Sequence, residues 1–229
     1  MSSNIQSMFG RIAGTYDQVN HTLSFNQDIQ WRKASVSQMT KDGYVPKKVL
    51  DLCAGTGDFA LAVKETTPGA QVTLADFAKP MLTLAKKKAN SQTGLSFVEA
   101  DALKLPFQDM AFDTLVCGFG VRNLDSLEKG VKEIARVLKP GSKAVILEFF
   151  KPTGLFAKLA YTFYVGSVMP ARGGAISNDK AAYEYLHNSA KNFVTVKEFK
   201  ALMEKNGFKE VSIEARMMGV AYSVVGIRK

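Results

Sequence analysis

From Val45 onward the chain alternates short runs of β-branched and apolar residues with longer stretches in which apolar positions recur every three or four residues. The runs KVLDLC, QVTLAD, LSFVEA, DTLVCG and KAVILEF predict strands, and FALAVKET, PMLTLAKKKANS and LEKGVKEIARVL predict helices between them. The last helix is expected to stop at Lys139-Pro140-Gly141, where proline removes a donor and glycine allows a turn. Strands and helices in this order build a parallel sheet with helices on both faces. After Phe150 the alternation ceases. GLFAKLAYTFYVGSVMP is aromatic and mostly apolar, ARGGA is a flexible turn, and KAAYEYLHNSAKNF predicts a further helix. The helix VKEFKALMEKNG then leads to FKEVSIEARM and VAYSVVGIRK, two strands joined by a short turn around Gly219, so that an antiparallel hairpin closes a seven-stranded sheet. The expected organisation is one domain over residues 1–229. A helical N-terminal lid covers 1–44, the α/β core takes 45–150 and 195–229, and a helical insertion on the substrate side takes 151–194.

Composition narrows the class. The 229 residues and 25.0 kDa suit one domain with a substantial core, and 46% hydrophobic against 22% charged content is that of a globular protein. The first residues, MSSNIQSMFGRIAG, lack a basic segment followed by an apolar run, and the longest apolar tract, Leu155 to Met169, is shorter than a membrane span and contains Lys158. A cytoplasmic protein is expected. The two cysteines, Cys53 and Cys117, each lie in apolar runs and read as small buried thiols. His21 and His187 are too isolated for a zinc site, so no metal is expected. A net charge of +9 favours anionic partners, nucleic acid or a membrane surface, or serves solubility alone, because the lysines are dispersed.

The stretch KVLDLCAGTGDFA carries the first candidate chemistry. Gly55, Gly57 and Ala60 match a glycine loop between strand and helix that suits a dinucleotide. Asp51, four residues ahead of the first glycine, suits instead the zwitterionic methionine end of S-adenosylmethionine. Asp76 ends the second strand, where a carboxylate accepts from ribose hydroxyls of either cofactor. Asp101 follows the third, where it can accept from an adenine amino group, as methyltransferases commonly arrange it. Either aspartate could instead cap the helix that follows. A parallel sheet ending in an antiparallel hairpin is similar to the Rossmann-like class I methyltransferases, which favours S-adenosylmethionine. The candidate cofactor residues are Asp51, Gly55, Thr56, Gly57, Asp76, Asp101, Ala102 and Gly118.

Three further segments carry a closer likeness. YDQVNHTLSFNQDIQW, from Tyr16 to Trp31, resembles the first signature of the quinone C-methyltransferases that complete menaquinone and ubiquinone, with Val19 where the family has Met and Asp28 where it has His. A carboxylate at Asp28 could still accept a proton. RVLKPGSKAVILEFF resembles the second signature, with Ser142 for a glycine and Phe150 for a serine, and GFGVRN resembles the family's segment after the fourth strand. VMPARGGAISNDKAAYEYLHNSAKNF is similar to the family's inserted segment. The resemblance implies S-adenosylmethionine-dependent C-methylation of a prenylated quinol, a naphthoquinol by preference because family members of this size commonly serve menaquinone, with a benzoquinol as the alternative.

By that resemblance Arg122 stabilises a phenolate, Asn123 orients the same oxygen, and Tyr16, with Asp17 and Asn20, belongs to the lid. Arg122 could instead pair with Asp125 or Asp101 and hold the loop. His21 and His187 are expected to face solvent. Phe149, Phe150, Phe156, Tyr161, Phe163 and Tyr164 could line a groove for the isoprenoid tail, rest on a membrane, or pack in the core. Transient contact with the inner membrane face and a homodimer are expected. GFGVRN lacks the Asn/Asp-Pro-Pro-aromatic motif of amino-methylating nucleic-acid enzymes, so no nucleic-acid substrate is expected. A scaffold that binds the cofactor without turnover is the non-enzymatic alternative.

Overall fold

The computed structural model describes residues 3–154 and 179–229. The inserted aromatic segment with Phe156, Tyr161, Phe163 and Tyr164 lies outside the described residues. Seven strands form one sheet in the order β3-β2-β1-β4-β5-β7-β6, where β1 is Lys48–Leu52, β2 Gln71–Asp76, β3 Leu95–Glu99, β4 Phe112–Gly118, β5 Leu138–Glu148, β6 Phe208–Arg216 and β7 Ala221–Arg228. The first five are parallel, and β7 is antiparallel to both β5 and β6.

The helices are α1 Ser3–Ile12, α2 Tyr16–Leu23, α3 Gln27–Met39, α4 Asp58–Thr66, α5 Lys79–Ala89, α6 Leu127–Val137, α7 Lys180–Lys191 and α8 Val196–Lys205. Because side chains alternate across a strand, Val49 of β1 packs on one face and Leu50 and Leu52 on the other. The first face joins Val72, Leu74, Val116 and Val145 to Phe59 and Val63 of α4 and to Val19, Leu23, Trp31 and Val36 of the N-terminal helices. The opposite face joins Leu115, Ile146 and Val224 to Ile134 of α6 and Phe199 and Met203 of α8. Helix α8 starts in a capping box, with Thr195 Oγ1 accepting from Glu198 N and the Glu198 carboxylate accepting from Thr195 N.

The expected turn at Lys139–Gly141 is absorbed into a strand. Helix α6 stops at Val137, and β5 begins at Leu138. Leu138 pairs with Phe112, and the next pair is Lys143 with Thr114, so the intervening residues of β5 bulge around Gly141 at φ +80. The proline and glycine thus end the helix as expected, but the chain re-enters the ladder without a separate loop.

Strands β1 and β4 are the point where strand order reverses, and ligands of open α/β sheets bind beyond the carboxyl ends at such a switch. Helix α3 packs against α4, β5 and β7, while α1 touches α5. A hydrogen bond between Ser35 and Ser223 hydroxyls (2.7 Å) ties α3 to β7.

Candidate active site at the carboxyl edge of the sheet

The loop from β1 to α4 crosses the switch point, and both flanking aspartates shape it. Asp76 Oδ2 accepts from Gly55 N (2.9 Å) and Oδ1 from Ala78 N (2.8 Å), so the end of β2 braces the glycine loop. Burial pushes its carboxyl above the ordinary value, against those N–H donors. Asp51 Oδ2 accepts from Ala60 N in α4 (2.9 Å), whereas Oδ1 is buried without a partner. Burial, opposed by the Ala60 N–H and by Arg32, pushes this carboxyl up to about 8. A buried carboxyl with a spare oxygen suits a ligand that brings a cation.

The glycines have distinct duties. A Cβ on Gly55, whose φ is +55, would meet nothing within 4 Å, which leaves the space above the loop open. A Cβ on Gly57 would stand 3.0 Å from Leu74 Cδ2 and 3.2 Å from Ala85 Cβ, so this residue allows the loop to approach α5 and β2. The adjoining cavity is lined by Gly55, Asp76, Phe77, Met81, Gly118 and Asn123 among others. Cys53 also faces it. The thiol expected in the core is only partly buried, while Cys117 is fully buried.

Asp101 and Ala102 do not line this cavity. Asp101 is exposed and its Oδ1 accepts from Leu103 N (2.9 Å) in a local turn; no helix follows it before β4, so it is not the helix cap offered as its alternative, and Ala100 N bonds Asp76 O (3.0 Å) and keeps the segment beside β2. The spare Asp51 oxygen, the open space over Gly55 and the apolar walls Phe77 and Met81 fit S-adenosylmethionine, with its ammonium, its ribose and its flat base.

A second cavity shares Tyr16 and Phe119 with the first and is walled by Trp31, Arg32, Arg122 and Phe149. Phe119 and Phe149 stack at 4.7 Å. Arg122 lies on the short 3-10 turn Val121–Asn123 after β4, and its guanidinium pairs with neither Asp125 nor Asp101. Its Nη1 donates to Glu148 Oε1 (2.6 Å) at the end of β5 and to Phe119 O (2.7 Å), and its backbone N donates to Glu148 Oε2 (3.2 Å). Both side chains are sealed from solvent, at 1% and 0% exposure, and Arg122 Nε has no partner. Burial raises the Glu148 carboxyl, and Arg122 counteracts it. Asn123 Nδ2 donates to Phe119 O (3.3 Å) and its Oδ1 accepts from Tyr185 of α7 (3.0 Å). The Tyr16 hydroxyl is raised by burial, opposed by the nearby Arg122 and Arg32 cations.

The N-terminal helices reach this edge through a charged cluster. Asp17 of α2 accepts from the Thr56 hydroxyl (2.5 Å) and pairs with Lys88 of α5 (2.5 Å), which also pairs with Asp58 of α4 (2.6 Å). His21 does not simply face solvent: its Nδ1 is 2.9 Å from Asp28 Oδ2. Asp28 is a poor proton acceptor, contrary to the expectation for it. Burial would raise its carboxyl, but Arg32 at 2.6 Å and the Ser24 hydroxyl at 2.5 Å hold it below the usual range. His21, Asp28 and Asp58 are close enough to share a metal ion, yet the Arg32 guanidinium already sits 2.6 Å from Asp28 and 3.6 Å from Asp58.

Sequence reading thus found Arg122 and Asn123 but missed Glu148, Arg32 and Tyr185. A glutamate at the end of the apolar run KAVILEF was a signal for a buried ion pair. For Arg32 the signal was its i,i+4 spacing from Asp28 on one helix, and Tyr185 had none.

A doubly wound sheet with a reversed terminal hairpin, a glycine loop at the switch point and carboxylates at two strand ends defines a class I S-adenosylmethionine-dependent methyltransferase. Solved structures agree at the level of fold. An S-adenosylmethionine-dependent methyltransferase from Thermotoga maritima superposes with TM-score 0.65 at 20% identity over 97% of this chain and 99% of that one. Haemonchus contortus phosphoethanolamine N-methyltransferase 2 in complex with S-adenosylmethionine does so with TM-score 0.66 at 14% identity over 87% of this chain and 52% of its own. The chain belongs to the ubiE/COQ5 methyltransferase family, whose profile matches residues 1–228. It is 45% identical to a demethylmenaquinone methyltransferase of Thermus thermophilus over 96% of this chain and all of that one. It is 37% identical to one of Deinococcus radiodurans over 98% and 92%, and 39% identical to one of Chlorobaculum tepidum over 91% and 85%.

Proposed function

We propose that the protein methylates a ring carbon of a prenylated demethylmenaquinol, the last step in making menaquinone. The observation that carries this reading is the pair of adjoining cavities, one lined by Gly55 and Asp76 and the other aromatic and backed by Arg122, with Tyr16 and Phe119 as the shared wall. The relatives named above supply the substrate class.

S-adenosylmethionine supplies, when bound, a sulfonium methyl. Asp51 would hold its ammonium, Asp76 its ribose hydroxyls, and Gly55, Thr56, Gly57 and Gly118 the surface against it. In the second cavity Arg122 would receive the ring hydroxyl next to the carbon that is methylated, and Asn123, which follows it in the chain and lines the adjoining first cavity, would orient the same oxygen. Loss of that hydroxyl proton makes the carbon nucleophilic, and a guanidinium in a water-excluding aromatic site stabilises the phenolate. Arg122 and Asn123 would hold the phenolate while its carbon takes the methyl that the sulfonium supplies, the C–S bonding pair remaining with sulfur, and the proton on that carbon would be released as aromaticity returns. Tyr16 and helices α1–α3 act as the lid that aligns the two ligands and keeps water out.

The basic surface brings the protein to an anionic membrane where the prenyl tail dissolves. No described helix is long and apolar enough to cross a membrane. The test is incubation with S-adenosylmethionine and a reduced short-tail demethylmenaquinone, read by product mass. Gain of one methyl is expected, and its absence with cofactor binding intact would overturn the reading.

A further inference from the structure

Arg122 has a counterpart in the lining of the second cavity. Arg32 of α3 is 9% exposed, and its Nη1 donates to Asp28 Oδ2 (2.6 Å) as Arg122 Nη1 donates to Glu148 (2.6 Å). The Arg32 guanidinium lies 5.8 Å from the Phe119 ring centre, and that of Arg122 lies 5.7 Å from Phe149. One guanidinium therefore lies against each ring of a stacked pair, and both cations are near enough to the Tyr16 hydroxyl to favour its ionised form. Arg122 is matched by Glu148, and Arg32 by Asp28 with Asp58 a further 3.6 Å contact, so the cavity offers oriented N–H donors with little excess charge. Two anchored guanidinium groups lining one aromatic cavity suit a flat ring bearing two oxygens. A quinol ring carries its oxygens at opposite ends, and only one adjoins the carbon to be methylated.

Building on the function proposed above, we propose that Arg32 is a second quinol-binding residue, donating to the ring oxygen opposite the one that Arg122 receives. The pairing with Asp28 then sets the orientation of Arg32, and the arrangement selects a ring with two oxygens over one with a single hydroxyl.

The test combines Arg32→Gln with a substrate analogue that keeps the hydroxyl beside the methylated carbon and lacks the opposite one. In the wild type, removal of the distal oxygen should raise KM roughly tenfold or more, the scale of a hydrogen bond to a charged group. Arg32→Gln should raise KM for the full quinol by a similar factor and show no further penalty with the analogue, whereas Arg122→Lys should keep the penalty. Any loss of ring reactivity in the analogue cancels in this comparison. If Arg32→Gln does not fold, Arg32→Lys, which keeps the cation beside Asp28, should reduce the analogue's penalty while leaving S-adenosylmethionine affinity unchanged. Independent, additive penalties, or an unchanged KM in the Arg32 variants, would overturn the assignment while leaving the methyl transfer in place. A wild-type enzyme that methylates neither compound would overturn both readings.

Discussion

Asp51 carries one oxygen bonded to Ala60 N and one without a partner, in a position where burial lifts its carboxyl to about 8. An acid whose value is raised on folding takes up a proton in the native state. Its contribution to stability is complete below the unfolded value and is lost as pH rises through about 8. Asp51→Asn should therefore flatten the fall in stability of the ligand-free protein between about pH 5 and about pH 9 while weakening S-adenosylmethionine binding. Denaturant titrations across that range would check it, and an unchanged slope would contradict the protonated carboxyl. The Arg122–Glu148 pair makes a different demand. Truncation of one member leaves a buried charge alone, so Glu148→Ala should cost about 3–5 kcal/mol in denaturant unfolding. Arg122→Lys keeps a cation and is the better functional probe. It should lower turnover with S-adenosylmethionine affinity nearly intact, whereas Asp76→Ala should weaken that affinity. Equal loss of affinity in both would count against the division of labour.

Element by element, the chemistry depends on how α2 is held over the glycine loop. Lys88 on α5 bridges Asp17 of α2 to Asp58 of α4, with side-chain exposures of 29%, 29% and 18%. Ion pairs this open to water are worth about 0.5–1 kcal/mol. Lys88→Ala should thus weaken S-adenosylmethionine binding only about two- to fivefold, while amide exchange speeds up across Tyr16–Leu23. Exchange unchanged in α2 would mean that apolar packing through Val19 and Leu23 alone holds it. The strands and helices of the core were legible because their side-chain periods differ, and the glycine loop because its backbone demands are narrow. The bulge at the start of β5 was not, since Pro140-Gly141 signals a helix stop equally well before a loop or before an irregular strand. His21 was misread for a related reason: its partners, Asp28 of α3 and Asp58 of α4, reach it only when the three helices pack, whereas Asp28 and Arg32 are one turn apart on α3 and their pairing was open to reading from the i,i+4 spacing.

At the scale of the whole molecule, the sheet order follows from the strand–helix alternation and the final hairpin, and the site then falls at the one switch point. Charge adds the setting. With a formal +9, the protein should sediment with anionic lipid vesicles at low salt and be released at about 0.5 M salt, where the Debye length falls to a few ångström. Retention on neutral vesicles alone would point instead to apolar insertion. What the whole arrangement accounts for is methyl transfer to carbon, with Arg122 against the neighbouring oxygen. The most direct measurement is carbon NMR of the product formed from methyl-labelled S-adenosylmethionine and a reduced short-tail demethylmenaquinone. A single labelled methyl on the ring carbon beside the hydroxyl is the result expected. A labelled methyl ether, or no labelled product from protein that binds S-adenosylmethionine, would contradict the account.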